Sequence, residues 1–117
     1  MRGVEFLAVL SLLGGLITFL ISLPLVYRKV PKNNFYGVRL KASFASDQSW
    51  YDINAYGGKQ LAFWSWPLVL VGVIGFCIPP EDAIVPFYGA AILAAALVSM
   101  ILPLSRILRY ARQYPPV

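Results

Sequence analysis

From Phe6 to Tyr27 the chain carries no charged side chain. A helix of that length, rising about 1.5 Å per residue, spans roughly the 30 Å of hydrocarbon in a bilayer. Two more uncharged runs follow, Gln60 to Pro80 and Ala83 to Ser105. In lipid every backbone N–H and C=O must be satisfied within the protein, so runs of this kind become helices. The expected fold is an all-α membrane protein, a single domain over residues 1–117 with spans at about 6–27, 60–79 and 83–105. Pro79-Pro80-Glu81-Asp82 leaves room only for a tight turn, which makes the last two spans an antiparallel pair. A cleaved signal peptide fits less well, because the first apolar run is too long and Arg28-Lys29 stands where small residues should precede a cleavage site.

Composition agrees: 59% of residues are hydrophobic and 13% charged, against about 25% charged in an average soluble domain. A chain this short buries little surface by itself, so lipid, together with further copies in an expected homo-oligomer, must cover its apolar faces. The net charge of +5 would suggest nucleic acid in a soluble protein. Here the cations flank apolar runs, where membrane orientation explains them, and no nucleic-acid partner is expected. The chain has one cysteine, Cys77, and no histidine, so no disulfide, zinc set or other cofactor is expected. Cys77 reads as a small apolar residue near the outer end of a span. No nucleophile and base stand at a useful spacing, so no enzyme is expected.

The segment between the first two runs holds Arg28, Lys29, Lys32, Arg39, Lys41 and Lys59 against Asp47 and Asp52. Its first part, Pro31-Lys32-Asn33-Asn34-Phe35-Tyr36-Gly37-Val38-Arg39, suits neither helix nor strand and reads as a turn-rich loop. Ser46 followed by Asp47 reads as a helix start. From there Trp50, Asn54, Gly57 or Gly58, and Leu61 share one face. Periodicity leaves open whether this helix lies along the surface and bends at Gly57-Gly58 or runs straight into the next span; the bend is our expectation.

The pattern Pro31-x-Asn33-x-x-x-Gly37-x-Arg39, with Trp50 and then Asn54, Gly57 and Gly58 following, resembles the SdpI immunity-protein family from about Val30 to Lys59. The resemblance implies immunity to a secreted toxic peptide, with signalling to a sequestered repressor as a further implication. It also favours Arg39 held in the bundle mouth as a fork for an anion or carboxylate, over an arginine that snorkels to headgroups. With Asn33, Gly37, Trp50 and Asn54 it makes one ligand-binding constellation. Trp50 is either a lid or an interfacial anchor, and Asn54 a structural hydrogen-bond partner of the loop. The alternative function is a small oligomeric module that grips an anionic lipid or small anionic ligand.

Lysines and arginines crowd the central loop and the tail, at Arg106, Arg109 and Arg112, whereas the N-terminus offers Arg2 and the second connection only Glu81 and Asp82. The positive-inside rule then puts the loop and C-terminus in the cytoplasm and the N-terminus outside a multi-pass cell-membrane protein. The tail is a basic helix end suited to anionic lipid, stopped by Pro115-Pro116. Gly89, Ala90, Ala91, Ala94, Ala95 and Ala96 let the third span pack closely. Pro24, Pro67 and Pro103 each free a carbonyl about four residues earlier, near Leu20, Phe63 and Ser99, for which Asn33 or Arg39 are the expected donors.

Overall fold

A computed structural model describes residues 3–79 and 81–114, and among these every regular element is helical. Arg2, Pro80 and Pro115-Pro116, which the sequence reading used for orientation, the turn and the helix stop, lie outside the described residues. Helix α1 covers Gly3–Val26, α2 is the single turn Lys41–Phe44, α3 is Asp47–Trp64 and α4 is Trp66–Gly75. A 3₁₀ turn, Asp82–Ile84, leads into α5, Val85–Ala111.

Two stretches are long and apolar enough to cross a membrane, Gly3–Val26 and Asp82–Ala111, and only 22% and 17% of their most apolar windows are buried. A soluble protein hides such helices in its core. Here Phe6, Leu10, Ile17, Leu20, Leu93 and Met100 all lie open, which suits a hydrocarbon solvent. The expected middle span is divided between α3 and α4. Pro67 cannot donate to the Phe63 carbonyl, and the residue before a proline resists the helical conformation. The interruption falls at Ser65, whose hydroxyl turns back to the Ala62 carbonyl at 2.7 Å.

The α3–α4 rod runs antiparallel to both α1 and α5, and glycines set its distance from them. A Cβ on Gly58 would lie 2.9 Å from the Ser22 carbonyl oxygen, and one on Gly72 would lie 2.7 Å from the Leu12 nitrogen. On the other side, a Cβ on Gly57 would stand 2.7 Å from a Val38 methyl and 3.3 Å from Ile107. This corrects the expected bend: α3 is helical without interruption through Gly57-Gly58. Those glycines answer to neighbours on two sides, and the chain breaks where a proline forces it to.

The core is two clusters at opposite ends of a body 54 Å long. Val4, Ala8 and Tyr88 gather where α1, α4 and α5 meet near the 3₁₀ turn. Ala42, Ile53, Ile107 and Ala111 gather at the other end, beneath the loop.

Candidate functional site

The loop between α1 and α2 is fastened at each end by a different device. At its start the chain leaves α1 through Arg28, whose φ of 58° is left-handed. The Arg28 N–H reaches the Leu25 carbonyl at 3.2 Å and the Lys29 N–H reaches the Pro24 carbonyl at 2.9 Å. That paired closure is the Schellman arrangement, usually made with glycine. A side chain there costs roughly 1–2 kcal/mol, and the one present is engaged: the Arg28 guanidinium meets the Asp52 carboxylate at 2.9 Å.

Within the loop, Asn33 folds the backbone over itself. Its side-chain oxygen accepts from the N–H of Phe35 at 2.8 Å and of Tyr36 at 2.6 Å, while its amide donates to the Pro31 carbonyl at 2.9 Å. The Tyr36 hydroxyl donates to the Ile21 carbonyl, next to the Leu20 carbonyl that Pro24 deprives of a partner. The loop's donor to α1 is therefore Tyr36, in place of the expected Asn33 or Arg39; Asn33 is spent inside the loop and Arg39 donates to the Asn34 carbonyl.

At the far end the loop is held by α3. Ser46 caps this helix as expected, accepting from the Ser49 N–H at 3.0 Å. One turn on, Trp50 is fully buried and its indole N–H donates to the Val30 carbonyl at 2.8 Å. Asn54, 2% exposed, accepts from the Val38 N–H at 2.6 Å and donates to the carbonyls of Val38 at 3.2 Å and Trp50 at 2.9 Å. Gly37 passes beneath them with φ +114°. A Cβ there would stand 2.6 Å from the Asn54 side-chain oxygen and 3.3 Å from the Trp50 ring. Gly37 is thus required twice, by its backbone angle and by the space it leaves.

The structure therefore brings Gly37, Trp50 and Asn54 into one buried contact, with Asn33 shaping the loop beside them. Arg39 stands apart, exposed at the rim. It borders an apolar groove of about 330 Å³ between the loop, α3 and α5, whose walls include Val38, Leu61, Met100 and Leu104. Phe35, 93% exposed, projects from the loop tip.

The sequence reading missed a polar chain at this same end. The Asp52 carboxylate, paired to Arg28, also accepts from the Tyr114 hydroxyl at 2.9 Å. Tyr110 lies 3.3 Å from the Tyr114 hydroxyl and stacks on Tyr56 with ring centres 4.2 Å apart. The Arg28 hydrogen bond holds the Asp52 carboxyl below the usual carboxylate range, with Tyr114 adding to the effect against partial burial. Tyr114 moves the other way: hydrogen bonding with Tyr110, desolvation and the Asp52 carboxylate all push its phenol up. The available signal was that Asp52 is one of two acids among six loop cations; its partners lie 24 and 62 residues away.

Among the described residues no cluster of histidine, cysteine or acidic side chains could hold a metal.

The sequence model of the SdpI/YfhL protein family matches residues 29–105. The chain belongs to that family. The matched stretch takes in the loop, α2, α3, α4 and most of α5. No curated protein and no solved structure matches the chain.

Proposed function

We propose that this membrane protein has three spans and protects the cell that carries it against a secreted, membrane-active peptide, which it meets at the pinned loop. The part of the α3–α4 rod from Gln60 onward is the middle span: it runs beside α1 and α5, and its broken region keeps its polar groups inside, with Ser65 only 2% exposed. The N-terminus lies outside and the basic loop and tail lie in the cytoplasm, as the lysine and arginine asymmetry requires. A peptide that penetrates to the inner leaflet then meets Phe35, Arg39 and the apolar groove beside them. Asn33, Gly37, Trp50 and Asn54 serve by holding that surface in one shape, and Arg39 supplies the charged contact. The observation that carries the reading is this division within a family motif: the buried members spend their hydrogen bonds on the loop, and the exposed ones are left facing outward. Second copies cover the open Ala90, Ala91 and Ala94 face of α5 in a homo-oligomer.

The deciding experiment is expression in a sensitive host challenged with such a peptide. Wild type should raise survival; Arg39→Ala should abolish it, and Arg39→Lys, which keeps the charge and loses the planar fork, should abolish it nearly as far at equal protein level. Full protection by Arg39→Lys would remove Arg39 from the contact, and no protection by wild type would end the reading. Topology has its own test in a Cys77→Ser background. An impermeant thiol reagent added to intact cells should label Asp82→Cys and spare Gln48→Cys; the reverse pattern would invert the orientation.

A further inference from the structure

α5 ends in three arginines with unequal surroundings. Arg106 and Arg109 border a groove of about 410 Å³ with Tyr56, Ser105, Tyr110 and Gln113, closed on the membrane side by Leu102. Arg112 is exposed and lies outside it. The groove lies on the other flank of the α3–α5 contact from the apolar groove beside Arg39, since residues 102, 106, 109 and 113 share a face turned away from Met100, Leu104 and Leu108.

Five observations suit this groove to an anion. Its two arginines stand three residues apart on one helix, so their side chains are neighbours on the face that lines the groove. Among the described residues neither has a carboxylate partner, because the ion pairs are Arg28 with Asp52 and Lys32 with Asp47. The fork of Arg106 is oriented, its carbon lying 5.6 Å from the centre of the Trp64 ring, which leaves the guanidinium edges free to donate. One wall is stiff: Tyr110 stacks on Tyr56 within 6° of parallel and is tied through Tyr114 to Asp52. The lining carries no acid, and Gln113 adds a neutral donor. The site straddles the end of the uncharged run at Ser105, with its arginines just beyond it, at the depth where phospholipid headgroups lie.

We infer that this groove binds a phosphate group, carried by an anionic phospholipid of the adjacent leaflet or offered as a free phosphate, with Arg106 and Arg109 as paired forks. The purified protein is mixed with equal amounts of phosphatidylglycerol and phosphatidylcholine, and retained lipid is counted by native mass spectrometry. Wild type should keep one phosphatidylglycerol in preference to phosphatidylcholine. Combined Arg106→Gln and Arg109→Gln should weaken retention at least about tenfold, while Arg112→Gln, an equal charge change per residue outside the groove, should stay within about twofold. Arg106→Lys with Arg109→Lys preserves the charge and the helix end. It should fall between the two, so the inference stays testable if the glutamine pair impairs folding. Millimolar inorganic phosphate separates the sources: displacement of the lipid assigns the groove to phosphate as such, and retention assigns it to the lipid headgroup. Equal retention of the two lipids, or equal loss in Arg112→Gln and the paired variant, would overturn the site in favour of diffuse attraction along the tail.

Discussion

The two ends of this bundle are held by different physics. At the 3₁₀-turn end, contact is made by small residues that let backbones close in: Gly72 against Leu12, Ala8 against the α4 glycines, Val4 against Tyr88. Among the described residues the long-range side-chain hydrogen bonds there are few, Tyr88 to the Val71 carbonyl and Ser11 to the Leu68 carbonyl, both at 2.7 Å. At the loop end the contacts are directional: Trp50, Asn54, Asn33, Arg28, Asp52 and Tyr114 all bond at defined geometry. In hydrocarbon no hydrophobic force separates helix from lipid, so close packing does the work; nearer water, a loop needs polar fasteners to hold one conformation.

The contrast can be broken in order of expected effect. Trp50→Ala empties the centre of the loop end and orphans the Val30 carbonyl, and should cost about 3–5 kcal/mol, read as thermal stability in detergent. Gly72→Val should cost about 1–3 kcal/mol through overpacking against α1. Gly14→Ala, at a glycine with nothing within 4 Å of its Cβ position, should be neutral or slightly stabilising. If Gly72→Val proved more damaging than Trp50→Ala, the packed end would be the dominant one and the comparison would reverse. Tyr114→Phe removes one hydrogen bond to a carboxylate and should cost about 1–3 kcal/mol while leaving the glycine end untouched.

A further expected effect is a pH dependence confined to the loop end. The folded Asp52 pKa lies below its unfolded value, so its contribution is present above the unfolded value of about 4 and is lost as pH falls through the folded one. Thermal stability of wild type should therefore decline as pH drops below about 5, and Asp52→Asn should flatten part of that decline. An unchanged slope in Asp52→Asn would mean that the Arg28 pair adds nothing to the latch.

What could be read in advance follows the same division. The first span was legible within a few residues, because charge-free length is a property of consecutive positions: 6–27 was expected and α1 is Gly3–Val26. The Ser46 cap and the shared face of Trp50 and Asn54 were legible because they are local. The expected middle span was legible as an apolar run only. Its division at Ser65 depends on the competition between Pro67 and the glycines at 57 and 58, which sequence spacing ranks wrongly because it does not see Val38 and Ser22 pressed against them. Arg39 was grouped with the buried constellation on the family resemblance, yet Gly37 and Val38 turn the chain so that the next side chain faces outward. The Arg28, Asp52 and Tyr114 chain was invisible for a simpler reason, since its members belong to three elements.

The grip of Asn54 on Val38 is made on the main chain alone: one amide offers an acceptor to the N–H and a donor to the C=O, as the edge of a neighbouring strand would. These hydrogen bonds recognise a position in the chain, while the Val38 side chain is held separately by its packing against Gly57. The loop is therefore mounted like an interchangeable part. Residues at its tip, Phe35 and Asn34 among them, can be exchanged to alter what the surface greets without loosening the mount, as long as Gly37 still passes beneath. If the proposed function holds, redesign of recognition begins at those tip residues and leaves α3 alone.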